Sequence, residues 1–405
     1  MRWLGEGLTA SFFFQREEEK RKNIPKFQGR SRIIGNTGEE LAQLSKYWNP
    51  FVHELDPYVP GEQPKDKRYI KLNTNENPFP PSPLVLQAIQ QTANGDLRLY
   101  PDPNADELRA KIAEVHQVKA DQVFVGNGSD EILAFAFQAF FDPTRPILFP
   151  DITYSFYKVY AKMFRVPYQV VPLQDDFQLT VEQFSQDNGG IIFPNPNAPT
   201  GKALSADAIK KLLTLHPDSI IIIDEAYVDF GGESMIPYVQ EYPNLLVIQT
   251  LSKSRSLAGL RVGFAIGSEE LIEGLQRIKN CFNSYTLDRL ALAGAVASFS
   301  DEAYFEQTRK AIMDTRSRVT EALQEIGFGV VESSANFIFI THPKLPASSL
   351  FAQLKEAGVL VRYFNQPRID NYLRVTIGLD EEMDQFLRII RDLCEHARKG
   401  ESDDI

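Results

Sequence analysis

The chain has 405 residues, 43% of them hydrophobic and 24% charged, which suits a soluble globular protein with a sizeable core. Its formal net charge of −11 argues against a nucleic-acid partner, yet leaves room for a small anion held by a few arginines in one pocket. Two distant cysteines, Cys281 and Cys394, and five scattered histidines give no metal-ligand spacing and point to a reducing, cytoplasmic setting; no apolar run reaches the roughly 20 residues of a membrane helix.

Residues 1–45 carry mixed charge without a sustained period and read as a flexible extension. Residues 46–83 are rich in proline and asparagine, as an extended arm laid on a surface would be. From residue 84 to about 305 short apolar runs alternate with amphipathic segments. Val123–Val125 precedes a helix over Glu131–Phe141, and Ile147–Phe149 precedes one over Tyr154–Met163. Ile191–Phe193, Ile220–Ile223 and Leu245–Ile248 are continuous β-branched or leucine runs, expected of strands buried on both faces. This alternation predicts an α/β domain with a mainly parallel sheet between helices. A helix from about Asp301 to Ile326 marks a change of texture. Val330–Val331, Asn336–Ile340, Val359–Val361 and Leu373–Ile377 are then short strands, closed by a helix over Glu381–Lys399, and residues 306–405 read as a smaller α+β domain.

In parallel α/β sheets ligands bind beyond the carboxyl ends of the strands, so the residues just past each strand are the informative ones. Gly126-Asn127-Gly128-Ser129-Asp130-Glu131 is a glycine turn opening a helix, a phosphate-type site. Tyr154 comes after the second strand, and Asn195-Pro196-Asn197-Ala198-Pro199 after the third. Asp224 ends the isoleucine run, with Tyr227 just beyond; after Ile248 come Thr250, Ser252, Lys253 and Arg261. Each is weak alone: Asp224 could simply cap a helix, and an isolated lysine is most often a surface residue. Together they place an anion site, an aromatic face, a carboxylate, a phenol, an amide and a lysine on one rim. That set matches pyridoxal 5′-phosphate (PLP), which needs a carboxylate at its pyridine nitrogen and a lysine at its aldehyde.

The segments Gly126–Glu131, Asn195–Gly201, Asp224–Tyr227 and above all Thr250–Gly263 resemble the fold-type I PLP-dependent aminotransferases, over about residues 48–398. Leu55–Gly61 and Leu72–Pro78 resemble the histidinol-phosphate branch of that family. The resemblance implies a seven-stranded, mainly parallel sheet in a large domain beside a small α+β domain. It makes Lys253 the Schiff-base lysine and proton shuttle, with Asp224 at the pyridine nitrogen, Asn195 and Tyr227 at the phenolic oxygen, and Tyr154 on the ring. Ser129, Asp130, Ser252 and Arg261 would hold the phosphate, with Thr250 lining the cofactor. Tyr100 would reach that phosphate from a neighbouring subunit, which implies a homodimer with shared active sites. Arg374 and Arg362, with Tyr58 from the partner's arm, would bind the substrate's anionic group, and Asn75 and Glu76 would line the entrance. The family often has asparagine where this chain has Ala198; with Asn195 as the contact, little consequence is expected. The implied reaction is transamination between L-histidinol phosphate and 2-oxoglutarate. Aromatic amino acid aminotransferases and threonine-phosphate decarboxylase stand as neighbouring readings on the same cofactor frame. A PLP-binding transcription regulator would need a DNA-binding domain that residues 1–45 are too short to supply, and a plain nucleotide module has no use for Lys253.

Overall fold

A computed structural model describes residues 46–403; the extension assigned to residues 1–45 lies outside the described residues. Two units are distinguished, divided between Glu54 and Leu55. The described part of the first holds a short 3-10 turn, Pro50–Glu54, and Trp48 stacked on His53.

In the second unit the chain enters through strand β1 (Ile70–Lys71) and helices α1 (Pro83–Thr92) and α2 (Asp106–His116). It then winds a seven-stranded sheet from β2 (Val123–Gly126), β3 (Ile147–Pro150), β4 (Tyr168–Val171), β5 (Ile191–Pro194), β6 (Ile221–Asp224), β7 (Leu245–Thr250) and β8 (Gly263–Gly267). The order is β2-β8-β7-β6-β5-β3-β4, and β8 alone runs antiparallel to its two neighbours. Helices α3 (Gly128–Phe140), α4 (Phe156–Met163) and α5 (Ala206–Leu215) connect successive strands, and α6 (Glu269–Phe282) follows β8. The mixed, mostly parallel sheet matches the expectation.

The strand runs are continuous because both faces are covered. Val123, Ile191, Ile221, Ile223 and Val247 enter one apolar cluster, while the alternate residues Phe124, Ile192, Ile222, Leu246 and Ile248 enter another on the opposite face. Truncating one of these fully buried side chains, such as Ile222→Ala, costs about 2–5 kcal/mol through lost transfer energy and the cavity left behind. Two strands escape the sequence pattern. Edge strand β4 exposes three of its four residues, so it has no apolar run. Strand β8 begins at Gly263, inside the lysine motif.

Helices α7 (Arg289–Ser300) and α8 (Glu302–Ile326) lead to a second, antiparallel sheet. It contains β9 (Gly329–Val331) and β10 (Phe337–Thr341); after α9 (Ala347–Glu356) and β11 (Val359–Leu360) come β12 (Arg362–Tyr363) and β13 (Leu373–Thr376), then α10 (Asp380–Asp403). The order is β12-β13-β10-β9. The second half of the arm is built into this layer. β1 pairs in parallel with β11, Leu72 donates its N–H to Leu360 and accepts one from Thr376, and its side chain is buried in the small-sheet core.

Candidate active site

A cavity of about 390 Å³ lies at the carboxyl ends of the parallel strands and is closed by residues of the small sheet. One pole is the start of α3. Gly128 takes φ +79° there, and a Cβ would meet Arg261 Nη2 at 2.5 Å, so only glycine lets the guanidinium lie against the turn. Gly263 serves the same packing, since a Cβ on it would fall 2.5 Å from the Ser129 nitrogen. The result is an anion pole made from the unpaired amides of α3, Ser129, Ser252 and Arg261. The Asp130 carboxylate is taken up by the Tyr154 hydroxyl (2.8 Å) and Arg261 Nη2 (3.2 Å). Thr250 Oγ1 receives the Ser252 N–H and donates to Ser252 Oγ at 2.9 Å, fixing that hydroxyl.

Asp224 ends β6 at the cavity floor, 4% exposed. Its Oδ2 accepts the Tyr157 hydroxyl at 3.1 Å and its Oδ1 the Ala226 N–H at 3.2 Å. Burial raises its pKa to about 6 against the pull of these two bonds. A carboxylate so placed gains from a cation set against it. Tyr157 is fully buried, and desolvation together with Asp224 pushes its phenol upward. Sequence reading missed Tyr157; its spacing of three from Tyr154 was the available signal.

Lys253 stands half-buried on the cavity wall after β7. Its Nζ donates to the Thr74 carbonyl at 3.2 Å and lies 5.9 Å from the Tyr227 ring centroid. Burial, then the Arg374 charge, lowers its pKa to about 8, which leaves an appreciable neutral fraction near neutral pH. The Tyr227 hydroxyl receives Asn75 Nδ2 at 2.9 Å, and its ring meets Phe337 edge-on.

The opposite pole comes from the small sheet. Arg374 on β13 donates Nη2 to the Asn73 carbonyl and sits over Phe337 and Phe364, while its buried Nε has no hydrogen-bond partner. Arg362 on β12 donates to the Val59 carbonyl. Glu76 pairs with Lys71 at 2.6 Å and receives the Thr74 hydroxyl, bonds that hold its pKa down despite burial.

Thus Lys253, Asp224, Tyr227, Tyr154, Ser129, Asp130, Thr250, Ser252, Arg261, Asn75, Glu76, Arg362, Arg374 and Tyr58 line one cavity, whereas Asn195 does not and Tyr58 reaches it from its own chain. Asn195 is a correction: its Oδ1 accepts the Leu204 N–H (2.8 Å) and its Nδ2 donates to the Leu204 carbonyl (3.1 Å), so the amide pins the turn after β5 and does not line the cavity. Ala198 and Pro199 line it instead. Tyr58, assigned to a partner's arm, lies in its own chain's cavity, its ring 4.4 Å from Phe156, because the Leu55–Gly61 segment runs along α4. Tyr100 lies outside the cavity, 77% exposed and stacked on Tyr285.

The donor set fits PLP. A buried carboxylate favours a protonated nitrogen, the α3 pole suits a phosphate and Lys253 an aldehyde. The orphaned Arg374 Nε and Thr153 Oγ1 are polar atoms that bound ligand oxygens would satisfy.

The profile of the family "Aminotransferase class I and II" matches residues 67–390. A histidinol-phosphate aminotransferase of Clostridium acetobutylicum is 58% identical over 349 residues, 86% of this chain and 99% of that protein. Histidinol-phosphate aminotransferase 1 of Pseudomonas aeruginosa is 56% identical over 344 residues, 85% and 98% respectively. Among solved structures, histidinol-phosphate aminotransferase from Sinorhizobium meliloti in complex with pyridoxal-5′-phosphate is similar with a TM-score of 0.79 at 22% identity, covering 87% of this chain and 99% of that one. Aspartate aminotransferase from Thermus thermophilus with maleate gives 0.71 at 21%, covering 80% and 91%. At these identities the structures share the fold.

Proposed function

The chain belongs to the class I and II aminotransferases, and from that premise we propose that it transfers the amino group of L-histidinol phosphate to 2-oxoglutarate. The products are imidazole acetol phosphate and L-glutamate, a step of histidine biosynthesis. The observation that carries the substrate is identity of 53–58% to histidinol-phosphate aminotransferases across nearly their whole length. The cavity supports it with two separate cationic poles, one for the cofactor and one for an anionic substrate group.

When bound, PLP supplies an electron sink for the negative charge that develops on the substrate carbon. Asp224 would hold a proton on the pyridine nitrogen, its carboxylate kept in place by Tyr157 and the Ala226 N–H. Tyr154 would cover the ring face, Tyr227 would donate to the phenolic oxygen, and Thr250, Ser129, the Asp130 amide, Ser252 and Arg261 would seat the phosphate end. Lys253 Nζ would hold the aldehyde and would carry the proton taken from the substrate carbon, a role that suits an amine whose pKa burial lowers to about 8. Arg374, with its planar fork, reads both the phosphate of one substrate and a carboxylate of the other, assisted by Arg362 and Tyr58. Asn75 and Glu76 border the entrance. Residues 84–305 carry the cofactor and residues 306–405 the anion clamp.

The working unit is a homodimer in the cytoplasm. Support comes from the exposed apolar group of Leu97, Leu99, Tyr100, Phe282 and Tyr285, which suits a second copy and would carry Tyr100 to the partner's cofactor phosphate. Among the described residues no helix is long and apolar enough to cross a membrane.

A visible spectrum of the PLP-loaded protein tests the reading. L-histidinol phosphate should bleach the lysine-bound band, 2-oxoglutarate should restore it, and Lys253→Ala should not cycle. Bleaching by aromatic amino acids alone would remove the substrate assignment and keep the chemistry. A protein that takes up no PLP would remove both.

A further inference from the structure

The loop that should bring an amide to the cofactor's phenolic oxygen does not do so. Asn195 spends both ends of its side chain on Leu204, and Asn197 donates to the Ile152 carbonyl and to Thr200 Oγ1. The cavity wall at this point is Ala198 and Pro199, which offer no side-chain donor. Tyr227 remains, and its hydroxyl is held by Asn75.

Asn75 is itself held from three directions. It sits at φ +57°, 1% exposed, in the left-handed region that costs most residues free energy unless the surroundings enforce it. Its N–H donates to Thr376 Oγ1 at 3.0 Å, the Thr376 hydroxyl donates to Asn75 Oδ1 at 3.0 Å, and Asn336 Nδ2 donates to the Asn75 carbonyl at 3.0 Å. In this arrangement the amide turns its oxygen to Thr376 and its nitrogen to Tyr227. Thr376 Oγ1 accepts the Asn75 N–H and gives its own proton to Oδ1, and Nδ2 is the end turned to Tyr227. A phenol that accepts from Asn75 keeps its proton for a different acceptor, and the open side of Tyr227 is the cavity.

We propose that Asn75 is a positioning residue: by donating to Tyr227 Oη it aims the Tyr227 proton at the cofactor's phenolic oxygen, a contact Tyr227 makes here without an amide beside it. The inference rests on the PLP reading above. It also ties the phenol to β13, where Thr376 lies two residues from Arg374 and on the same face of the strand. Seating an anion at Arg374 and orienting Tyr227 therefore depend on one strand.

The test is the pH titration of the visible band of PLP-loaded protein. A donor to the phenolic oxygen stabilises its negative charge most once the lysine–cofactor nitrogen has lost its proton, so losing the donor raises the titration midpoint. Tyr227→Phe should raise it by about one to two pH units, the worth of a hydrogen bond to a charged group. Asn75→Gly, which keeps the left-handed backbone, should raise it by about half to one unit. The double variant should rise no further than Tyr227→Phe alone. Ala198→Asn, which adds a donor, should lower it. Thr376→Val frees the amide to turn and should shift the midpoint as Asn75→Gly does, which keeps the test open if the glycine variant does not fold. The charged groups facing Tyr227 and Lys253 (Asp224, Asp130, Arg374, Arg261 and Glu76) are the same in all of these proteins. A coloured Asn75→Gly protein with the wild-type midpoint, or shifts that add in the double variant, overturns the inference alone. A wild type that stays colourless with PLP overturns both the inference and the reading beneath it.

Discussion

Replacing Asp224 by asparagine should stabilise the cofactor-free protein, and by an amount that grows with pH. Burial lifts this carboxyl from 3.8 to about 6. The folded value lies above the unfolded one, so the native state holds the extra proton across that window. The stabilisation this confers is complete below the unfolded value and is lost as pH rises through about 6. At pH 7 the folded protein therefore carries an ionised, desolvated carboxylate at a cost of about 3 kcal/mol relative to a neutral side chain; at pH 5 the cost is about 1.5 kcal/mol. Asparagine keeps the shape, can take the Ala226 N–H on Oδ1 and can donate to Tyr157 from Nδ2. With an unfolding entropy of about 2 cal/mol/K per residue over some 350 ordered residues, the thermal midpoint of Asp224→Asn should gain about 2 °C on wild type between pH 5 and pH 7. The comparison is of paired melts of cofactor-free proteins, so acid effects common to both cancel. In PLP-loaded protein the order should reverse, because a protonated ring nitrogen gives the wild-type carboxylate the partner it lacks. A stability difference that is flat with pH, or that narrows toward pH 7, would refute the reasoning.

Two further predictions address the neighbours of this group. Tyr157→Phe removes a donor to the ionised carboxylate and should raise Asp224 by about one to two units, so PLP must bind at the expense of a proton. Its dissociation constant, measured by fluorescence titration, should exceed that of wild type by about fourfold at pH 7 and by about twentyfold at pH 5.5; a ratio independent of pH would mean Tyr157 only fills space. If Lys253 takes the proposed role, the rate of PLP uptake by cofactor-free protein should rise with pH around a midpoint near 8, because the neutral amine would be the nucleophile and burial, aided by Arg374, lowers its pKa. Stopped-flow absorbance measures that rate, and a midpoint near that of free lysine would show that the amine is solvated.

Much of the fold could be read because strands buried on both faces announce themselves as continuous apolar runs. Ile221–Ile223 is such a run, and the single carboxylate that ends it, Asp224, lies where a parallel sheet presents its ligands. Antiparallel β8 and edge strand β4 lack that pattern, the first because it opens on the glycine that packs against Ser129, the second because three of its four residues meet solvent. Choosing Asn195 from the Asn-Pro-Asn-Ala segment followed residue type, which carries no direction. The backbone after β5 turns so that Leu204, nine residues on, satisfies that amide, and the cavity meets alanine.

The contacts that aim the chemistry were less legible than the groups that perform it, for a common physical reason. Tyr157 meets Asp224 across 67 residues of sequence, and Asn75 meets Tyr227 across 152 and Thr376 across 301. Periodicity reports which face of an element is apolar and motifs report what lies at its end. Neither reports which two ends a fold brings within about 3 Å, the reach of a hydrogen bond. A buried polar atom must nevertheless find a partner, so each such atom implies another residue that the sequence does not name. Asp224 requires a donor, and Tyr157 supplies it. Arg374 Nε still lacks one, and under the proposed function the group that would complete it is the substrate.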